Sequence, residues 1–269
     1  MSAISTASSF IENAPPGELS EVIKDIESLL EHSPRGGFAD AVAAYNKQQY
    51  VTTKLPGSSG LVIVSSYNEI EEGRFFDSES STSFAFNHTT QKASDVQSYS
   101  IEGEHASTVK SLVQAVGNHV KEHFPSLPAH GVYPTDDGIA ILIVGNKYSP
   151  SNYWNGRWRS TYIYNPSAST LTGTIAVDVH YYEDGNVRLV TEKAVSENLR
   201  SSTSAGIVTT IASVEKKYQE ELNRAFGALS EGAFKSLRRQ LPVTRQKMDW
   251  DKAAAYKLGQ DIGGAGKSR

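Results

Sequence analysis

Not one of the 269 residues is cysteine. Disulfides, iron–sulfur ligation, thiolate zinc sites and a cysteine nucleophile are excluded together, and a reducing compartment is expected. Long apolar runs are missing as well. The longest, residues 139–144, falls far short of the roughly 18 residues a bilayer span needs. Residues 1–10 contain no Lys or Arg and no apolar stretch of signal-peptide length, so no secretory address is expected. Neither a G-x-S-x-G elbow nor a G-x-G-x-x-G loop after a strand occurs. Gly266-Lys267-Ser268 is like the end of a phosphate-binding loop, but Asp261 stands where that loop needs its first glycine, and no helix can follow.

What is present is charge, unevenly placed. Residues 235–269 hold nine Lys/Arg against three Asp, a surplus of six positive charges. The whole chain sums to −4, so the first 234 residues carry −10. Charge segregated this way draws in an acidic partner and speeds encounter without dictating a fold. With 38% hydrophobic and 21% charged residues, the chain has the composition of a globular protein able to bury one large core or two modest ones.

Pro15-Pro16-Gly17 punctuates the chain ahead of Leu19, Val22, Ile23, Ile26, Leu29 and Leu30, whose spacing predicts an amphipathic helix. A second helix is expected over 38–50, with Phe38, Ala41, Val42 and Tyr45 on one stripe. Residues 1–54 thus read as a helical unit. Strand-like pieces follow at 60–67 and 83–87, separated by Gly73 and a serine-rich loop at 78–83. Val109, Leu112, Val113, Val116, Val120 and Phe124 then mark one face of a helix that Pro125 and Pro128 end.

Strands are predicted at 139–144, 158–164 and 174–182, the last placing Ile175, Val177, Val179 and Tyr181 on one face. Trp158, Tyr162 and Tyr164 share a face as packing residues, with Arg157 and Arg159 opposite. Asp184-Gly185 supplies a hairpin turn leading into 187–190. Connections this short require antiparallel pairing. Ile207, Ile211, Val214, Tyr218, Leu222, Ala225 and Leu229 mark a helix of about seven turns over 203–229, expected to lie across a sheet face. The expected class is α+β: a central antiparallel sheet over 55–243 covered by a long helix.

One motif invites an enzyme reading. His119-Val120-Lys121-Glu122-His123 matches H-x-x-E-H, in which two histidines one turn apart hold Zn²⁺ and the glutamate serves as general base. The plainer reading puts both rings at the edge of an apolar stripe near a helix C-terminus, where the dipole favours histidine. No carboxylate stands out as a third ligand.

The basic end points to binding. Lys235, Arg238 and Arg239 lie within five residues, and Arg245 and Lys247 follow just past Pro242. Such a cluster suits carboxylates or phosphates, so a protein, a nucleic acid or an anionic lipid could meet it, as could solvent alone. Met248, Trp250, Tyr256, Leu258 and Ile262 are too few to build a core of their own, while Met248, Ala254, Ala255, Leu258 and Ile262 fall within about one third of a helical wheel, with Asp251 intruding and Trp250 at the margin. An apolar helix behind a basic cluster favours a groove on another protein.

Several blocks also carry a family resemblance. Ser236-Leu237-Arg238-Arg239-Gln240-Leu241-Pro242-Val243-Thr244-Arg245, with Asp249-Trp250 after it, resembles the alpha subunits of heterodimeric F-actin capping proteins. So do Tyr153-Trp154-Asn155-Gly156-Arg157-Trp158-Arg159-Ser160, His180-Tyr181-Tyr182-Glu183-Asp184-Gly185-Asn186-Val187 and Ala14-Pro15-Pro16-Gly17-Glu18, all in the same order. The resemblance implies a helical stalk over 1–54, a sheet shared with a similarly folded beta subunit, and a mobile amphipathic extension over 244–269. It implies an obligate heterodimer that binds barbed ends of actin filaments and blocks subunit gain and loss. The resemblance further implies that no calcium, cofactor, nucleic acid or catalysis is involved and that the setting is the cortical actin cytoskeleton of the cytoplasm. By motif, Lys235, Arg239 and Arg245 correspond to the basic actin-binding patch, and Lys247 and Trp250 open an extension to which Leu258 and Ile262 add apolar contacts. Phosphoinositides and other regulators are expected to use overlapping basic positions.

Overall fold

The structure, a computed structural model, describes residues 3–30, 37–124, 126, 128–183 and 186–228. Lys235, Arg239, Arg245, Lys247, Trp250, Leu258 and Ile262, and the Asp184-Gly185 turn, lie outside the described residues.

The chain begins with three helices, α1 (Ala3–Glu12), α2 (Leu19–Leu29) and α3 (Ala39–Gln48). A pair of short strands, β1 (Thr52–Lys54) and β2 (Leu61–Ile63), leads to a four-stranded meander of β3 (Glu69–Glu71), β4 (Arg74–Asp77), β5 (Thr82–Asn87) and β6 (Lys92–Ser98). Helix α4 (Ala106–His123) precedes five strands in one sheet: β7 (Pro128–Thr135), β8 (Gly138–Ser149), β9 (Trp154–Asn165), β10 (Thr170–Tyr181) and β11 (Val187–Asn198). That sheet runs β11-β10-β9-β8-β7, antiparallel throughout. Helix α5 (Ser204–Ala228) follows, and the division between two compact units falls within it, after Val214. The class is α+β.

Helix α1 was not anticipated from the pattern, because Ala7 and Ile11 alone are buried on it. Nor were β1, β3, β4 and β6, which are too short or too polar to show alternation. The strand expected over 60–67 contracts to three residues for a local reason. The fully buried Asn68 amide donates to the carbonyls of Ile63 and Phe76, and its Oδ1 accepts from Ser65 N–H, so the chain turns there.

Both faces of the large sheet are covered around β8, whose residues 138–144 are all buried, as a strand sandwiched between layers requires. Ile139, Ile141 and Ile143 share a face with Tyr162, Tyr164 and Trp158. Trp158 meets Phe124, the residue after α4, with centroids 6.2 Å apart. Gly145, beside Trp158, has no Cβ because one would stand 2.8 Å from the Phe124 ring. Leu142 and Val144 face the other way, into a cluster with Ile63 and Phe76. Tyr50, just past α3, bonds Thr161 Oγ1 at 2.7 Å on that same side. A second cluster joins Ile11, Ile26, Val42 and Tyr45 of the helices to Phe75, Phe84 and Phe86 of the meander. In α5, Ile207 and Ile211 are fully buried, and Ser204 Oγ bonds Ser111 Oγ of α4 at 2.7 Å.

Burial holds His130 of β7 in its neutral form: desolvation lowers its pKa, with Lys121 acting in the same direction, against the opposing pull of Glu79 and Asp77. The unfolded chain accepts a proton that the folded ring resists. The stability His130 contributes is therefore intact above the ordinary histidine value and lost as pH falls through it, by up to about 1.4 kcal/mol per pH unit. Urea unfolding at about pH 7.5 and about pH 5.5 should show this loss in wild type and less of it in His130→Gln.

Candidate functional site: the outer sheet edge and its polar junction

Three of the four sequence blocks singled out above converge at the outer half of the sheet. Pro15-Pro16-Gly17 turns the chain with Gly17 at φ +79°, where the Tyr148 ring lies close enough that a Cβ would stand 3.2 Å from it. The turn delivers Glu18 to β9 and β10. Its Oε1 accepts from His180 Nδ1 at 2.7 Å and from Asn155 Nδ2 at 3.0 Å. An ionised carboxylate can only accept, so Nδ1 is the donor in this bond. His180 Nε2 lies 2.6 Å from Asn186 Oδ1, and the Tyr182 ring lies tilted beside the imidazole at 5.2 Å.

Next to this node Arg188 of β11 holds Asp178 of β10 in a fork, 2.9 Å from Nε to Oδ1 and 2.7 Å from NH2 to Oδ2. The same guanidinium donates to the carbonyls of Asn13 and Ala14. The bond to Asp178 is the largest influence raising the Arg188 pKa. Arg157, which is buried, donates from Nε to Asn146 Oδ1 at 2.7 Å, from NH2 to Tyr148 Oη at 2.8 Å and from NH1 to Gln49 O at 3.2 Å. These bonds clamp the N-terminal helices to β8–β11. Asp178→Asn keeps the shape but removes the charge of the buried partner in this pair, and chemical unfolding should show a loss of about 2 kcal/mol.

The alternation expected in β10 is present in the strand. Ile175, Val177, Val179 and Tyr181 do share a face, but only Ile175 is fully buried there, and Tyr181 is 39% exposed. Beyond Ile175 the buried positions are Ala176, Asp178 and His180, on the face that meets the N-terminal helices. Alternation alone does not say which face is inside, and here the fold satisfies polar groups in the interior through partners far away in sequence. Glu18, Arg157, Asp178, His180 and Arg188 were therefore missed as a unit. The one signal available was ionisable side chains placed inside strongly apolar strands.

Strand β11 is an edge, and no described strand pairs with its outer side. It is twelve residues long and exposes Val187 at 62% and Val190 at 57%. A long edge with exposed valines is a template for a strand from another chain, which single-chain proteins normally blunt. The arrangement suits subunit pairing.

The zinc reading finds no geometry. His119 is buried, its ring stacks on that of His123 at 4.5 Å, and His123 Nδ1 lies 2.9 Å from the His119 carbonyl oxygen. Among the described residues no three His, Cys, Asp or Glu side chains converge as a metal site.

Comparison with known proteins agrees with the sequence blocks. The family described as F-actin capping protein alpha subunit matches residues 7–261. An F-actin-capping protein subunit alpha from Gibberella zeae is 60% identical over the full length of both chains. One from Neurospora crassa is 57% identical over 97% of each. Among solved structures, the homodimeric actin capping protein alpha subunit from Plasmodium berghei superposes with a TM-score of 0.71 at 20% identity. It covers 86% of this chain and 93% of that one, a likeness of fold.

Proposed function

The chain belongs to the F-actin capping protein alpha-subunit family, which is not enzymatic, and from that membership we propose that it is one half of a heterodimer that caps barbed ends of actin filaments. The observation that carries the reading is identity of 60% over the full length of a capping-protein alpha subunit. A beta subunit adds its strand to the β11 edge, which would cover Val187 and Val190. Residues 1–54 form the stalk, 55–243 the platform and 244–269 the extension.

Lys235, Arg239 and Arg245 dock on acidic actin surface, while Lys247, Trp250, Leu258 and Ile262 carry the extension into an apolar groove on actin. The body's charge of −10 and the surplus of +6 in the last 35 residues support this division of labour. Capping blocks both gain and loss of subunits without calcium. Phosphoinositides compete for the same cations, and the complex works in the cortical actin cytoskeleton.

Co-expression with a beta chain, gel filtration and a seeded pyrene-actin elongation assay with and without a calcium chelator test this directly. The expected result is a one-to-one complex that arrests barbed-end growth equally in both buffers. A complex that forms yet leaves elongation unchanged would refute the reading.

A further inference from the structure

Strand β11 is complementary to a second copy of itself. A closed antiparallel pair of identical edges has a two-fold axis normal to the sheet, and that axis passes through one residue which faces its own copy. The possible registers therefore differ only in which residue of β11 lies on the axis. Side chains directly opposite one another share a face of the sheet, so each register fixes its pairs.

Axes through Arg188, Glu192, Lys193 or Glu197 set like charges against each other, which is unfavourable. Only two axes bring opposite charges of β11 together. About Val190, Arg188 of each copy faces Glu192 of the other, with Leu189 opposite Thr191 and Val187 opposite Lys193. About Val195, Lys193 of each copy faces Glu197 of the other. Burial decides between them. The Val190 axis covers both valines exposed on the edge, Val187 at 62% and Val190 at 57%, whereas Val195 is already buried at 5% and its axis pairs only 192–198 and leaves those valines in water. The charges suit the same choice, since Glu192 is exposed and Arg188, held in place by Asp178, keeps 27% of its side chain accessible.

We propose that, without a beta partner, two copies of this chain form a two-fold homodimer through β11 with Val190 on the axis. Such pairing blunts an edge that would otherwise recruit strands without limit, and it stops at two copies. Homodimer formation rests on the edge alone. That it excludes the beta strand rests on the heterodimer proposed above, since both would use the same backbone groups of β11.

Sedimentation equilibrium of the full chain expressed alone should show a dimer and nothing larger. The absence of cysteine allows the register to be tested directly, because Val190→Cys supplies the chain's one thiol. Cα atoms of directly opposed residues lie about 4.5–5.5 Å apart, within disulfide range, so mild oxidation should link two copies. Ala194→Cys is equally exposed to oxidant but four residues from the axis, which puts its two Cα atoms about 27 Å apart, and it should stay unlinked. Glu192→Lys places a lysine opposite each Arg188 and should weaken the dimer about ten-fold, with circular dichroism reporting its fold. The linked Val190→Cys dimer should refuse the beta chain until reduced. A monomer, an open-ended aggregate, equal linking through Ala194→Cys or an unweakened Glu192→Lys dimer would each overturn the proposal. A monomer that still pairs with beta would do so and leave the capping reading intact, whereas a homodimer that never yields to beta would support this pairing and count against the heterodimer.

Discussion

A chain truncated after Thr244 that also carries Lys235→Glu and Arg239→Glu will cap barbed ends about 100-fold more weakly than wild type, with both rate constants affected. Replacing two cations by two carboxylates turns attraction toward acidic actin into repulsion. Association should then slow by about ten-fold at low salt. Wild-type capture should weaken as salt rises, whereas the reversed variant should respond little or in the opposite sense. Loss of Trp250, Leu258 and Ile262 removes the apolar surface proposed to be desolvated on actin, and that loss belongs to dissociation. Elongation from capped seeds, followed by dilution, measures the two rates separately. Full arrest of growth at wild-type concentration by the combined variant would eliminate the proposed roles of the patch and the extension.

The largest structural effect is expected at Gly173. A Cβ there would lie 2.0 Å from the Thr161 carbonyl oxygen and 2.9 Å from Tyr162 Cα, both backbone atoms of the neighbouring strand β9. Rotamer changes cannot relieve contact with backbone, so β10 and β9 must separate locally. Gly173→Ala should cost about 3 kcal/mol or more, seen as a lowered urea midpoint and poor recovery of soluble complex. Gly227→Ala is the control, because nothing lies within 4 Å of a Cβ there and the residue sits in α5. It should be neutral or stabilising by up to about 1 kcal/mol. Equal stability of Gly173→Ala and wild type would mean that the two strands are more loosely apposed than the register of β9 and β10 indicates.

The elements with a complete repeat of their own were legible in advance. Helix α4 follows Val109, Leu112, Val113, Val116 and Val120, all buried. The hairpin of β10 and β11 and the long α5 follow the same logic. Strands β3 and β4 were not legible, since three or four residues cannot display a period and their partners are fixed by Asn68. The H-x-x-E-H match shows the opposite failure. Its spacing is right for a helix, yet the two rings pack on each other and no third ligand joins them among the described residues.

By itself the sequence determined the antiparallel α+β class, the separation of an acidic body from a basic end, and the family, because these depend on local order and composition. Only the tertiary structure decided which side of β10 is buried, and that Glu18 meets Asn155 from 137 positions away and His180 from 162. The reason is physical. A repeat records how each side chain is turned about its own helix or strand, whereas polar groups are satisfied in the interior by whichever distant segment folding brings within hydrogen-bond reach.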